Sequence, residues 1–259
     1  MAPLPRRRPP AMLRRVDQPG TGDVSDRTRV AIVTGIGRRG QAGEVVARVL
    51  AQRGSRISAV TRSPAEAEER AAELREGGFD ALPFACDLTD EARVASLARD
   101  VAAASDGRVD ALVNLAGGFG MSGPVAGSDS AVWRTQFAIN LTTAYLATRA
   151  FLPMVRAARG AIVYVASAAA LPGARTARMS AYVAAKSGVI ALMHAVAEEE
   201  RDNDVRANAV APTMIRTATN VESMGAEMRY VEREQVAAAV AWLCSDDARA
   251  VTGQVVRLG

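Results

Sequence analysis

Lysine is almost absent from this sequence. Of its 32 basic side chains, one is a lysine, Lys186, and all the others are arginine. An arginine carries a permanent charge on a forked, planar group, whereas a lysine presents a compact charge on a thin stem. A position that keeps lysine in so arginine-rich a chain is therefore predicted to need a point charge in a tight place.

Cysteine and histidine are nearly as rare, and their scarcity excludes several kinds of site. Two cysteines without a C-x-x-C spacing are too few for a disulfide framework. Two reduced thiols are typical of a cytoplasmic protein, which is where we expect this one. The single histidine, His194, has no cysteine or carboxylate at a ligand spacing, so we expect it to be structural and predict no metal site.

Long hydrophobic runs are missing as well. No eighteen consecutive residues are apolar, so we expect no membrane span. Five arginines among the first fifteen residues account for the net charge of +4. Residues 1–27 show no hydrophobic periodicity and are expected to form a disordered or loosely attached extension. Their arginines are not interleaved with aromatic residues, so we do not expect nucleic acid as a partner.

Residues 28–259 alternate short apolar runs with helical patterns, which predicts one α/β domain. Strands joined through helices run parallel and are buried on both faces. We therefore predict a three-layer, doubly wound fold around a seven-stranded parallel sheet, with ligands beyond the carboxyl ends of the strands. The predicted strands are 29–33, 57–60, 81–85, 111–114, 161–166, 205–211 and 254–258. The predicted helices are 44–52, 64–76, 89–104, 133–158, 179–201 and 234–244. The start of the second is marked by Ser63 as N-cap, Pro64 at the first helical position and Glu66 closing a capping box.

A glycine-rich turn follows the first strand. Residues 34–40 read Thr-Gly-Ile-Gly-Arg-Arg-Gly and contain G-x-G-x-x-G between a strand and a helix, the context that favours dinucleotide binding. Glycines let the backbone approach a pyrophosphate, which then lies at the helix N-terminus. A tight turn without a ligand remains the alternative for the motif taken alone.

No acidic residue ends the second predicted strand, which reads Val60-Thr61-Arg62. A carboxylate at this place would grip a ribose 2′-hydroxyl and repel a 2′-phosphate, whereas Arg62, together with Arg38 in the loop, can pair with a phosphate. This favours NADP(H) over NAD(H). The alternative is that both arginines are ordinary surface charges.

Lys186 lies four residues after Tyr182, so a helix places both side chains on one face. A nearby positive charge favours the phenolate and lowers the pKa of a tyrosine, which lets it exchange a proton with a substrate oxygen. The alternative is an ordinary amphipathic helix, with the tyrosine in the core and the lysine reaching solvent.

Together these motifs resemble the short-chain dehydrogenase/reductase family over Arg29 to Gly259, in its classical Tyr-x-x-x-Lys form. The resemblance implies a Rossmann fold. The motifs that carry it are the Thr34-Gly35 loop, Cys86-Asp87-Leu88, Asn114-Leu115-Ala116-Gly117, Asn140, Ser167, Tyr182-x-x-x-Lys186, Pro212-Thr213 and Val251-Thr252-Gly253.

The resemblance implies a catalytic tetrad of Asn140, Ser167, Tyr182 and Lys186. Tyr182 would exchange a proton with the substrate oxygen as hydride passes to or from the nicotinamide, and Ser167 would hold the same oxygen. Lys186 would lower the pKa of Tyr182 and bind the nicotinamide ribose. Asn140 would hold a water that links Lys186 to solvent.

The resemblance also implies a set of cofactor contacts along the carboxyl edge of the sheet. Asp87 and Leu88 would border the adenine. Asn114, Ala116 and Gly117 would border the adenosine side of the cleft, and residues 212–217 would border the nicotinamide. The implied cofactor-binding residues are Gly35, Arg38, Arg39, Ala42, Gly43, Arg62, Asp87, Leu88, Asn114, Ala116, Gly117, Tyr182, Lys186, Pro212, Ile215 and Thr217.

The chain departs from the family pattern in its glycine loop, which is longer than usual, so Gly43 rather than Gly40 is expected to open the helix. A longer loop is a feature of the divergent enoyl reductases of this family, but the Tyr182 to Lys186 spacing of four favours carbonyl chemistry. Leu115 and Thr213 stand where the family usually has Asn and Gly.

We therefore expect an NADP(H)-dependent oxidoreductase that interconverts a ketone and a secondary alcohol. The flap over residues 216–231 is expected to cover a small substrate of moderate size. The alternatives are a 3-oxoacyl-acyl-carrier-protein reductase and, from another class, a non-catalytic dinucleotide-binding sensor. Family members commonly assemble through the helices predicted at 133–158 and 179–201, so we expect a homo-oligomer, a tetramer or a dimer.

Overall fold

The computed structural model describes residues 28–259, so the extension expected over residues 1–27 lies outside the described residues. Seven parallel strands form a sheet in the order β3-β2-β1-β4-β5-β6-β7, which confirms the predicted doubly wound sheet. The strands are β1 (Arg29–Thr34), β2 (Ser55–Thr61), β3 (Ala81–Ala85), β4 (Ala111–Asn114), β5 (Ala161–Val165), β6 (Arg206–Pro212) and β7 (Val255–Leu258).

Helices cover both faces of the sheet and enclose two hydrophobic cores. Side chains of α3, α5 and α6 pack on one face, and side chains of α1, α2 and α8 pack on the other. The helices are α1 (Ala42–Gln52), α2 (Pro64–Glu76), α3 (Glu91–Ala104), α4 (Ser130–Phe137), α5 (Thr143–Ala158), α6 (Ser180–Glu199), α7 (Ala218–Met224) and α8 (Arg233–Leu243).

The register of the central strands brings their carboxyl ends to one edge. Thr34 of β1 lies beside Asn114 of β4, and Asn114 lies beside Tyr164 of β5. The strand order reverses between β1 and β4, where the connections leave toward opposite sides. A doubly wound sheet binds its ligands in the crevice that opens at such a point.

The single long helix predicted over 133–158 is wrong in detail. The structure has α4, a π-helical segment (Ala138–Thr142) and then α5. Where the π segment meets α5, the Thr143 hydroxyl donates to the Ile139 carbonyl at 2.8 Å. A π turn adds a residue to the helix and rotates the side chains that follow, and such turns are frequent at functional sites. Here the added turn contains Asn140.

The flap predicted over 216–231 contains a helix, α7, that was not expected. Thr217 caps it, because its hydroxyl accepts a hydrogen bond from the Asn220 N–H at 3.1 Å. The helix has seven residues and no buried residue, so the hydrophobic periodicity that reveals a longer helix was missing. The helix α2 begins with a cap of the same kind at Ser63, as its sequence predicted.

Among residues 28–259, α6 has the length and composition of a segment that could cross a membrane. Its buried residues include Ala185, Val189 and Met193, and the last two belong to the core beneath the sheet. A helix that covers a sheet passes the same test of length and hydropathy, so the finding is weak evidence for a span.

Candidate active site

Lys186 is fully enclosed at the carboxyl end of β5. Its Nζ donates a hydrogen bond of 2.8 Å to the carbonyl oxygen of Val165, the last residue of that strand. Burial disfavours the charged form and lowers the pKa of Lys186 to about 8. The second turn of α6 therefore delivers an amine that can gain or lose a proton near neutral pH, in the confined place that its sequence predicted.

Tyr182 lies one turn earlier on α6, partly buried beside Ser167. Burial raises the pKa of the Tyr182 phenol, and a hydrogen bond with the Ser167 side chain opposes that rise. The predicted lowering of this pKa by Lys186 is wrong for this structure. Desolvation dominates at Tyr182, and the Lys186 ammonium is directed to the Val165 carbonyl. The phenol is accordingly protonated at neutral pH and able to donate.

Asn140 holds the loop that follows β4. Its Oδ1 accepts from the Gly118 N–H at 3.1 Å, and its Nδ2 donates to the Gly118 carbonyl at 2.9 Å. The same amide contacts Gln136, whose Oε1 accepts at 3.2 Å. The Asn140 side chain thus fixes the backbone beside the lysine, while the expected water link to Lys186 remains a prediction.

Gly117 lies where Asn140 and Lys186 converge. A Cβ at this position would be 2.5 Å from Asn140 Oδ1 and 3.4 Å from Lys186 Nζ. The absence of a side chain is therefore a packing requirement, and it brings the Gly117 backbone close to both groups.

The glycine loop approaches the segment after β4 closely enough to form the floor of a crevice. Gly35 has φ of +65°, and a Cβ there would lie 2.5 Å from Ala116 Cα. The buried hydroxyl of Thr34 accepts hydrogen bonds from the Leu115 and Ala116 N–H groups at 3.1 and 3.3 Å. Sequence analysis quoted Thr34 but missed this positioning role, which depends on a contact between distant segments.

The helix α1 begins at Ala42, with Gly43 in its first turn, so the helix opens after Gly40 as expected. A Cβ on Gly43 would lie 2.5 Å from the Ile36 carbonyl oxygen, so only glycine lets the loop fold over the helix start. Free N–H groups of a helix N-terminus attract phosphate. A crevice walled by bare backbone at Gly35 and Gly43 therefore fits a dinucleotide pyrophosphate.

The three candidate phosphate-binding arginines differ in their surroundings. Arg39 is committed to Glu73 of α2, to which its Nε donates at 3.1 Å. Arg38 and Arg62 are exposed and form no hydrogen bond or close ion pair among residues 28–259. The charge of Arg62 does contribute to lowering the pKa of Asp87. Beside them, Thr61 donates to Glu66 at 3.4 Å, so one carboxylate also lies near the end of β2.

The residues expected around the adenosine are split by the structure. Asp87 is partly exposed after β3, and its hydrogen bonds from Thr89 lower the pKa of Asp87. Leu88 is buried beside it. The side chain of Asn114 instead points into the fold, because its Nδ2 donates to Thr148 of α5 at 3.0 Å. Of the 114–117 motif, the backbone around Ala116 and Gly117 borders the crevice.

On the opposite side of the crevice, the flap lies against the glycine loop. The Ala218 N–H donates to the Gly40 carbonyl at 3.1 Å, and Gln41 Nε2 donates to Thr219 Oγ1 at 2.9 Å. Pro212 ends β6, and Ile215 and Thr217 connect it to α7. The residues expected at the nicotinamide end are therefore carried by a segment that touches the pyrophosphate loop.

Sequence analysis missed an aromatic residue beside the tyrosine. The rings of Phe119 and Tyr182 meet edge to face, with centroids 5.1 Å apart and an interplanar angle of 83°. Phe119 is 58% exposed. The signal available was the sequence Gly-Gly-Phe-Gly directly after the 114–116 motif. In the described part of the chain no group of His, Cys, Asp and Glu is arranged as metal ligands are, and His194 is exposed on α6.

Comparison with known proteins gives consistent matches over this region. A model of the short chain dehydrogenase family matches residues 29–227. A cis-4-hydroxycyclohexanecarboxylate dehydrogenase of Sinomonas cyclohexanicum is 37% identical over 88% of this chain and 94% of its own. A D-threitol dehydrogenase of Mycolicibacterium smegmatis is 33% identical over 87% and 89%. The crystal structure of a point variant of actinorhodin polyketide ketoreductase with NADPH superposes with a TM-score of 0.80 at 29% identity, covering 89% and 95%.

The packing around Gly117 predicts that alanine destabilises the protein at this position and has almost no effect on stability at the adjacent Gly118. Gly117→Ala should lower the free energy of unfolding by about 1–3 kcal/mol, because the methyl group must displace the amide of Asn140 from Gly118. Gly118→Ala is the control, since its Cβ would meet nothing nearer than Ile139 at 3.5 Å. It should change stability by no more than about 0.5 kcal/mol. Urea unfolding followed by circular dichroism measures both, and equal destabilisation would contradict this geometry.

Proposed function

This chain belongs to the short-chain dehydrogenase/reductase family, and from that premise we propose that it interconverts a ketone and a secondary alcohol with NADP(H). Membership makes it an oxidoreductase of the dehydrogenase type. The observation that carries the finer proposal is the buried Lys186, whose Nζ donates to the Val165 carbonyl one helical turn after Tyr182.

The crevice supports a nicotinamide dinucleotide as the cofactor. The bare backbone at Gly35 and Gly43 fits the pyrophosphate. Ala116 and Gly117 would border the adenosine side of the cleft, and Ile215 and Thr217 would border the nicotinamide. A bound nicotinamide would supply hydride to the substrate carbon or take it up. The phosphorylated form is supported by Arg62 and Arg38, which have no ion-pair partner within the described residues, while Arg39 is neutralised by Glu73.

The proton chemistry belongs to the side chains at the end of β5. In the reductive direction the Tyr182 hydroxyl donates its proton to the carbonyl oxygen, and the Ser167 hydroxyl donates a hydrogen bond to the same atom. Both donors are fixed before the oxygen acquires negative charge, so they stabilise the transition state more than the ground state. Burial raises the pKa of the phenol and keeps it protonated at neutral pH, which suits reduction. In the oxidative direction Tyr182 must first lose its proton, which requires higher pH.

Lys186 would hold the nicotinamide ribose and replenish the proton of Tyr182. With a pKa of about 8, its amine is mostly charged at neutral pH and yields a proton more readily than an exposed lysine. Asn140 would hold a water on the path from Lys186 to solvent, from the π turn that places it next to Gly117.

Two rival functions are less well supported. A 3-oxoacyl-acyl-carrier-protein reductase would act on a carrier-bound thioester. The two dehydrogenases described above are instead named for a hydroxy acid and a polyol, although the superposed structure is that of a polyketide ketoreductase. A non-catalytic dinucleotide sensor needs neither Tyr182 nor Lys186, and this chain has both in place.

We also propose a cytoplasmic location, with residues 28–259 acting as one domain.

We further propose a homo-oligomer built on the outer faces of the helices that carry the site. Trp133 of α4 and Tyr145 of α5 are 45% and 48% exposed, and exposed large apolar surface is typical of a protein–protein contact. Light scattering should give a dimer or tetramer, and a monomer at micromolar concentration would contradict the proposal.

Turnover by the parent and by a Tyr182→Phe variant tests the proposed function. The purified protein should oxidise NADPH in the presence of ketones, with a higher kcat/KM for NADPH than for NADH. Tyr182→Phe should lower kcat by about 100-fold or more, because it removes the general acid, while fluorescence titration still shows dinucleotide binding. Tyr145→Phe, which removes a hydroxyl outside the crevice on α5, is the matched control. It should leave kcat unchanged, with light scattering showing the same oligomeric state as the parent.

Three results would contradict the proposal. Equal kcat for the parent and Tyr182→Phe would remove the phenol from the mechanism. A preference for NADH would contradict the assignment of the cofactor. Dinucleotide binding without turnover across a panel of ketones and alcohols would favour the sensor.

A further inference from the structure

We propose that Phe119 determines substrate specificity, as an apolar wall beside the Tyr182 hydroxyl that favours substrates whose reacting carbon lies in or next to an apolar ring over open-chain hydroxylated substrates. The inference rests on the proposed function, because it assigns the substrate class of the same site. Its structural basis is a ring contact, the anchoring of one loop and the exposure of one side chain.

The contact places Phe119 at the point where a substrate must approach. Its ring meets that of Tyr182 edge to face at 5.1 Å, the favoured geometry of an aromatic pair. A substrate whose oxygen reaches the Tyr182 hydroxyl therefore approaches a tyrosine whose ring Phe119 already contacts. The Phe119 ring has no hydrogen-bond donor or acceptor.

The loop that carries Phe119 is anchored immediately before it. The backbone of Gly118 makes two hydrogen bonds with the Asn140 side chain, one from its N–H and one to its carbonyl. After Phe119, a Cβ on Gly120 would lie 2.6 Å from Gln136 Nε2, so the backbone runs directly over this buried side chain. Gln136 and Asn140 therefore support the loop from below.

The same loop is anchored again three residues after Phe119. The Ser122 and Gly123 N–H groups donate to the Arg178 carbonyl at 3.0 and 3.1 Å. The Ser122 and Ser180 hydroxyls are 3.1 Å apart, which joins the loop to the start of α6. Since Tyr182 lies on that same turn of α6, the Phe119 backbone and the Tyr182 hydroxyl are held to one another through short connections.

Exposure of the ring indicates what binds to it. More than half of the Phe119 surface faces solvent although the loop beneath it is well ordered by hydrogen bonds. A large apolar surface left open beside a reactive group is typical of a binding site. An apolar ring gains by displacing water from Phe119, whereas a chain of hydroxyl groups would lose hydrogen bonds to water without replacing them.

The flap adds apolar surface of the same character. Met224 at the end of α7 and Met228 after it are 52% and 42% exposed. Unbranched thioether side chains adapt their shape to an apolar ligand. The flap and Phe119 therefore both offer apolar surface, and Phe119 is the member that directly touches a residue of the proposed tetrad.

The experiment compares cyclohexanone with hydroxyacetone, an open-chain hydroxyketone, as substrates of the whole protein with NADPH. The parent should have the higher kcat/KM for cyclohexanone. Phe119→Ala should lower that value about tenfold, chiefly through KM, and should change the value for hydroxyacetone much less. Phe119→Leu, which keeps an apolar but not an aromatic side chain, should lie between the two.

Val125→Ala is the matched control, since Val125 is an apolar residue of the same loop that is 75% exposed. It should leave the ratio of the two kcat/KM values unchanged. An equal loss for both substrates in Phe119→Ala would overturn the inference, because it would mean that Phe119 only supports Tyr182. An unchanged ratio, or a parent that prefers hydroxyacetone, would overturn it as well.

The outcomes separate this inference from the proposed function. If the parent reduces ketones but Phe119 variants do not alter the ratio, the inference alone fails. If the parent reduces no ketone with NADPH or NADH, the proposed function fails and the inference fails with it. Because Phe119 is mostly exposed, its substitution should leave the protein folded. Thermal unfolding of each variant verifies this.

Discussion

An amine enclosed at the end of a buried strand is the constraint on which the rest of this structure depends. Lys186 has no carboxylate partner among the described residues, and its charge meets only the carbonyl of Val165 at the edge of the sheet. The surrounding backbone is arranged to leave room for it. Gly117 supplies that room, and Asn140 keeps the neighbouring loop in place.

Enclosing this amine reduces stability, and the sign follows from its two pKa values. The pKa of Lys186 falls from 10.5 to about 8 on folding, so between these values the unfolded chain binds more protons than the folded one. Stability therefore rises as the pH increases through that interval, and the full cost is present below about pH 8. Burial of Lys186 thus lowers the stability of the folded protein, and it also yields an amine that can exchange a proton near neutral pH.

The site is held by contacts between segments that are far apart in sequence. Thr34 fixes the segment after β4 from β1, and Asn140 fixes the next turn of that segment from the π helix. Flap and glycine loop meet through Ala218 and Gly40. Each contact is a hydrogen bond to the backbone, so the crevice is defined by main-chain positions.

Local patterns in the sequence predicted most of the architecture. Buried strands joined through helices gave the sheet, and Ser63 gave the start of α2. The order of the motifs along the chain predicted which residues lie together at the end of β5. The burial of Lys186 could also be predicted, because a single lysine stands out in a chain whose other basic residues are all arginine.

The features that sequence analysis did not predict depend on distance and burial. The break at Asn140 is a local change of helical hydrogen bonding, and no glycine or proline within residues 133–142 marks it in the sequence. The direction of the Tyr182 pKa depends on how much water the fold removes, and helical spacing alone overstated the effect of Lys186. Phe119 reaches Tyr182 from a distant part of the sequence, through a loop whose anchors lie on two other elements.

The most direct test of this account is the pKa of Lys186 measured by NMR. Because the sequence holds one lysine, protein grown with lysine labelled at 13Cε and 15Nζ gives one side-chain signal, and its titration reports this amine alone. The account predicts a midpoint of about 8 in the folded protein. A midpoint near 10.5, the ordinary value for a lysine in water, would show that the amine is not enclosed and would contradict it.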